Sequence, residues 1–92
     1  MTYELFVWLK PDLSGEQVKK EIKDFETLIK PGGKLQSNVA GKRKLAYKIK
    51  GFEEGVQVNL ILDCNESEVA SLSVYLNRQA NVLRYLLTKG EK

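Results

Sequence analysis

Apolar residues recur along this chain at two different periods, and the order in which the periods alternate leaves few folds open. Val56, Val58, Leu60 and Leu62 alternate with Gln57, Asn59, Ile61 and Asp63, the period of two that puts one face of a strand in a core. Val18, Ile22, Phe25 and Ile29 instead recur at spacings of four, three and four, which is one stripe on a helix. Ser14, with Gln17 three residues on, forms a capping pattern at its start, and "PGG" at 31–33 ends it. Before it, "YELFVWL" (Tyr3 to Leu9) is aromatic and branched and stops at the proline of "KPDLSG", so it reads as a first strand. A second strand spans Leu35 to Lys50, and "GFEEG" turns the chain into the third. Asn65 with Glu68 caps a second helix, whose first turn carries Glu66 and Glu68 at the positive end of the helix dipole and whose buried stripe is Val69, Leu72 and Leu76. Val82 to Thr88, "VLRYLLT", is the last strand.

The resulting order, βαββαβ with one apolar stripe per helix, predicts an α+β fold of the ferredoxin-like kind: a four-stranded antiparallel sheet with two helices on one face. Right-handed crossovers place strands one and three in the centre and two and four at the edges. At 92 residues, 1–92 reads as a single domain around one core. Alternation then assigns Leu5, Val7, Leu9, Leu45, Tyr47, Ile49, Val58, Leu60, Leu62, Leu83, Tyr85 and Leu87 to the helix side. Phe6, Trp8, Ile61 and Leu86 fall on the open side, with Arg84 among them, and Lys44, Ala46, Lys48 and Lys50 point away from the core. An apolar open face with no third layer is a partner surface by expectation.

Charge is distributed unevenly. The formal net charge is +3, but six basic residues and no acidic one lie between Lys34 and Lys50, leaving nine basic against twelve acidic elsewhere. Lys42, Lys44, Lys48 and Lys50 suit two roles equally: lysines that keep a sheet edge from pairing with another sheet, and phosphate contacts. Arg43 adds positive charge on the other side of the pleat. Arg78 ends the second helix, where it complements the dipole. Arg84 sits among apolar residues, where a guanidinium favours a phosphate, a carboxylate or an aromatic plane.

Catalysis has little to work with. There is no histidine, and Cys64, the only cysteine, reads as a small apolar residue at a strand end. These absences predict no enzyme, no metal site and no disulfide. No apolar run reaches the ~20 residues of a membrane span, and "MTYELFVWLK" lacks the pattern of a secretion signal, so a soluble intracellular protein is expected. Two short matches fail on their surroundings. "GVQV" at 55–58 is similar to part of the acylphosphatase signature, but the loop after strand one, "KPDLSGE", has one glycine and no arginine for an anion. "KGF" at 50–52 resembles the opening of the RNA-recognition-motif signature, yet Glu53 and Glu54 follow at once and strand three carries no aromatic.

A longer match covers nearly the whole chain. "YELFVWLKPDLS", "GKRKLAYKIK" and "NVLRYLL" are similar to the opening strand and turn, the Gly-x-Arg-x-Leu-Ala-Tyr segment and the last strand of bacterial small-subunit ribosomal protein six. Gly41, Arg43, Leu45, Ala46, Tyr47 and Ile49 fall in register with the middle segment, and Arg84 falls on an arginine of the final strand. Lys48 replaces a commonly seen proline, strand three begins "GVQV" where an aromatic often follows the glycine, and "KGEK" trails the last strand. The resemblance implies a cytoplasmic, ribosome-associated protein that binds the central domain of small-subunit ribosomal RNA together with small-subunit ribosomal protein eighteen, with no cofactor, membrane or small-molecule substrate. Combined with the charge pattern, it makes Lys42, Arg43, Lys44, Lys48, Arg78 and Arg84 the candidate RNA contacts and Phe6, Trp8, Ile61 and Leu86 the candidate partner contacts. The competing expectation is a small ferredoxin-like regulatory or anion-binding domain.

Overall fold

The structure is a computed structural model that describes residues 2–29 and 31–89; the end of the "KGEK" tail lies outside the described residues. Its elements are β1 (Thr2–Leu9), α1 (Gly15–Glu26), β2 (Lys34–Ile49), β3 (Phe52–Asp63), α2 (Glu66–Arg78) and β4 (Val82–Lys89). The strands form one antiparallel sheet in the order β2-β3-β1-β4, so the two edges are those the crossover argument assigns.

Both helices start as their sequences direct. Ser14 accepts from the Gln17 amide while the Gln17 side chain accepts from the Ser14 amide, and Asn65 with Glu68 repeats the arrangement. The first helix ends earlier than its apolar stripe. From Phe25 onward the chain tightens, with the Leu28 and Ile29 amides donating to carbonyls three residues back, yet Ile29 stays buried.

The core lies between the helices and one face of β1 and β3. Leu5, Val7, Leu9, Val58, Leu60 and Leu62 are essentially inaccessible, and Phe25, Leu72 and Leu76 cover them from the helices. Cys64 is buried with them. On β4, Leu83 is buried while Tyr85 and Leu87 pack partly exposed at the margin.

Strand β2 departs from the expectation. None of its residues is buried, and Tyr47, assigned by alternation to the helix side, is 62 % exposed. The cause is register. Lys44 pairs with Glu54, but the next recorded pair is Ile49 with Phe52, so β2 advances five residues where β3 gives up two. An odd number of extra residues inverts the face of everything beyond it. The turn also sits earlier than "GFEEG": Lys50 and Gly51 have φ of 53° and 86°, the pair of positive values a two-residue hairpin turn requires. Phe52 to Gly55 therefore belong to β3.

Candidate interaction surface

On the face of the sheet away from the helices, β1 presents Glu4, Phe6 and Trp8. Phe6 stands opposite Asn59 on β3 and Leu86 on β4, and Trp8 opposite Gln57 and Arg84. Directly opposed side chains of neighbouring strands touch, so Trp8 and Arg84 are neighbours by register alone. Leu86 is 51 % exposed, while Phe6, Trp8 and Ile61 are half-buried. The four candidate partner residues divide between two depressions. Phe6 and Ile61 line one with the polar side chains of Glu4, Gln36, Asn38 and Asn59. Trp8 and Leu86 line the other, with Leu45, Ala46, Tyr47 and Ile49 from the overwound end of β2 and with Arg84 and Lys44.

The second depression exists because the β2–β3 hairpin tip reaches back across the sheet. Arg84 Nη1 donates to the Tyr47 hydroxyl at 2.7 Å, and Lys50 Nζ donates to the Val82 carbonyl at 3.2 Å. Strands β2 and β4 are the opposite edges of the sheet, so the Arg84–Tyr47 bond joins one edge to the other beside Trp8, while the Lys50 bond ties the turn after β2 to the start of β4 near Leu76 and Asn77 of α2. The open face is thus partly covered at this end by its own chain, where alternation predicts none. Lys44, Leu45, Ala46, Tyr47 and Ile49 all line the same hollow, in place of the expected split between two faces. The two-residue turn at Lys50-Gly51 in "IKGF" sets Ile49 opposite Phe52, but no local signal marks the extra residues that β2 carries between Lys44 and Ile49.

The basic residues do not form one patch. Lys42, Arg43 and Lys44 are exposed on the edge strand, and no ion pair among the described residues neutralises them. Lys48 lies 3.9 Å from Glu53, both side chains 67 % exposed, a pair of little energetic weight. Lys34 is engaged by Glu26 at 2.8 Å. Arg78 is exposed on α2, beside Val74 and Gln79, on the helix side of the sheet. The structure therefore brings Arg84 to Trp8 and leaves Arg78 apart from both. A separate polar cluster ties α1 to α2 and to the connection that follows it: buried Glu21 accepts from Asn81 Nδ2 at 2.9 Å, and the Tyr75 hydroxyl donates to Asp24 at 3.4 Å. Burial first, then the charges of Glu21 and Asp24, push the Tyr75 phenol up to about 12.

Among the described residues no group of three His, Cys, Asp or Glu is placed to hold a metal, and no helix is long and apolar enough to cross a membrane. A two-layer α+β sheet with a cationic edge and an apolar open face defines a binding domain that presents surfaces rather than a reaction centre. Residues 2–89 match the family model for ribosomal protein S6. The small ribosomal subunit protein bS6c of Cyanidioschyzon merolae is 37% identical over 95% of this chain and 88% of its own. Small ribosomal subunit protein bS6 of Gloeobacter violaceus is 33% identical over 97% and 95%. The crystal structure of 30S ribosomal protein S6 from Thermotoga maritima superposes with a TM-score of 0.86 at 21% identity, over 97% of this chain and 86% of that one, which confirms the ferredoxin-like fold. The chain belongs to the ribosomal protein S6 family. It is accordingly a protein of the small ribosomal subunit, ribosome-associated and cytoplasmic, and not an enzyme.

Proposed function

We propose that this chain is a structural component of the small ribosomal subunit that binds the central domain of small-subunit ribosomal RNA as one half of a heterodimer with small-subunit ribosomal protein eighteen. The observation that carries the reading is the un-neutralised run Lys42, Arg43 and Lys44 on an exposed sheet edge beside an apolar face. Cations on an exposed edge meet phosphates without reading bases, so RNA affinity is electrostatic and sequence selection comes from the assembled pair. The apolar face supplies the protein contact, through Phe6, Trp8, Ile61 and Leu86.

Filter binding of the central-domain RNA at several salt concentrations, with protein eighteen present, tests this. Replacing Lys42, Arg43 and Lys44 together by alanine is expected to reduce the slope of log affinity against log salt by roughly two to three, close to one per lost phosphate contact. An unchanged slope would assign these residues to edge protection alone.

A further inference from the structure

We propose that a separate hollow, between the hairpin tip and the start of β4, is a phosphate-binding site in which Lys50, Asn77 and Arg84 hold one phosphodiester group of the ribosomal RNA backbone. The inference rests on the RNA-binding reading above and adds Lys50 and Asn77 to the residues that carry it. The hollow holds ≈ 280 Å³. Three of its lining residues, Leu76, Val82 and Leu83, are only 2–4 % exposed and form its floor. What an occupant meets is Lys50, Asn77, Arg84 and the half-buried Tyr85: two cations, an amide and a phenol. All four can donate hydrogen bonds, and no carboxylate among the described residues lines the site. An occupant must therefore be anionic, rich in acceptor oxygens and small in apolar area. A phosphodiester has that chemistry. A protein anchor draws its energy from apolar walls that exclude water around it, and here the aliphatic groups are already covered.

The backbone at Lys50 points the same way. Lys50 takes the first turn position at φ 53°, a left-handed conformation that favours Gly, Asn or Asp. Lysine is the less stable choice for that backbone, so what it contributes is its side chain. Its Nζ donates to the Val82 carbonyl at 3.2 Å, which holds the ammonium beside the hollow with two further donors. Arg84 is held in turn by its bond to the Tyr47 hydroxyl, through one of its five N–H groups. Fixing both cations in advance removes part of the ordering cost of binding. The nearest helix end is the C-terminus of α2, which repels an anion, so the site depends on these side chains rather than on backbone amides. Lys42, Arg43 and Lys44 lie on β2, one edge of the sheet, and the hollow lies at the start of β4, the other edge. The two sites therefore take different phosphates of one RNA.

The test is filter binding of the central-domain RNA by the full chain with protein eighteen, over a series of salt concentrations, with urea melts of each variant. Lys50→Asn removes the cation and places at the positive φ a residue that tolerates it. It should reduce the slope of log affinity against log salt by roughly one. That loss should add to the loss from the triple Lys42, Arg43 and Lys44 variant, because separate sites act independently. Asn77→Asp puts a negative charge beside the phosphate and should weaken RNA binding ~5-fold or more at low salt, with protein-eighteen binding unchanged. Asn77 is exposed and outside the hairpin, so this variant decides alone if Lys50→Asn melts early through loss of the Val82 bond. A wild-type slope in Lys50→Asn with wild-type affinity in Asn77→Asp overturns the phosphate site, reducing Lys50 to a clasp on Val82 and leaving the RNA-binding reading standing. Weakened protein-eighteen binding at an unchanged RNA slope assigns the hollow to a partner carboxylate and overturns it too. A wild-type complex whose RNA affinity does not vary with salt overturns the electrostatic RNA reading itself, and this site with it.

Discussion

Tyr75 shows how much a single side chain can report about its surroundings. Its ring meets Phe25 edge to face, with centroids 5.9 Å apart, and its hydroxyl donates to Asp24. Burial and two neighbouring carboxylates disfavour the phenolate and raise its pKa from 10.0 to about 12. The folded state therefore retains a proton that the unfolded chain loses above pH 10. The associated stability is fully present below pH 10 and is lost as pH rises through the window to about 12. Denaturant melts across that window should show a steeper fall for the wild type than for Tyr75→Phe. Equal falls would mean that the ring and its carboxylate neighbours are not coupled in solution. Tyr47 gives the opposite lesson. Nothing in its local sequence distinguishes it from a core tyrosine, since Leu45 and Ile49 flank it at the period of two, and only its pairing partners decide its face.

At the scale of elements, β1, β3 and both helices were legible because their apolar periods run unbroken from cap to turn. Each has enough repeats for the pattern to outvote an odd residue. Strand β2 was legible as a strand but not in its pairing, because bulges carry no periodic signature of their own. Gly41, at φ 88°, marks one of its register shifts, and the residues between Lys44 and Ile49 contain the largest. The candidate site followed the same divide. Phe6, Trp8, Ile61, Leu86 and Arg84 lie on strands whose alternation holds, and they were placed on the correct face. Leu45 and Tyr47 were not, because they lie within the shift between Lys44 and Ile49, and Ile49 closes it. Gly55 records how tightly β3 is pinned at this end: a Cβ there would stand 3.0 Å from the Leu9 carbonyl oxygen and 3.4 Å from Leu83 Cδ1. Overpacking of that kind costs about 1–3 kcal/mol, against about 0.5–1 kcal/mol returned by removing a glycine from a strand. Gly55→Ala should accordingly lower stability by about 1 kcal/mol in urea melts; a stabilised variant would show that the β1 end yields more easily than its place beside the core suggests.

For the whole molecule, the two bonds at the hairpin tip matter in a way that no equilibrium contact describes. They join residues 37 and 32 positions apart in sequence, and they link strands that become neighbours only after β3, β1 and β4 lie side by side. Contacts of that separation, conditional on a nearly finished sheet, are expected to form after the rate-limiting barrier is crossed. Weakening the tip should leave the speed of folding untouched and hasten unfolding. Stopped-flow chevrons of Tyr47→Phe should show a superimposable refolding limb and a raised unfolding limb; a slowed refolding limb would place the tip in the nucleus instead. The fastening of one sheet edge to the other thus sets how long a folded molecule lasts before it first opens, so the free chain can wait longer for its ribosome without folding any faster.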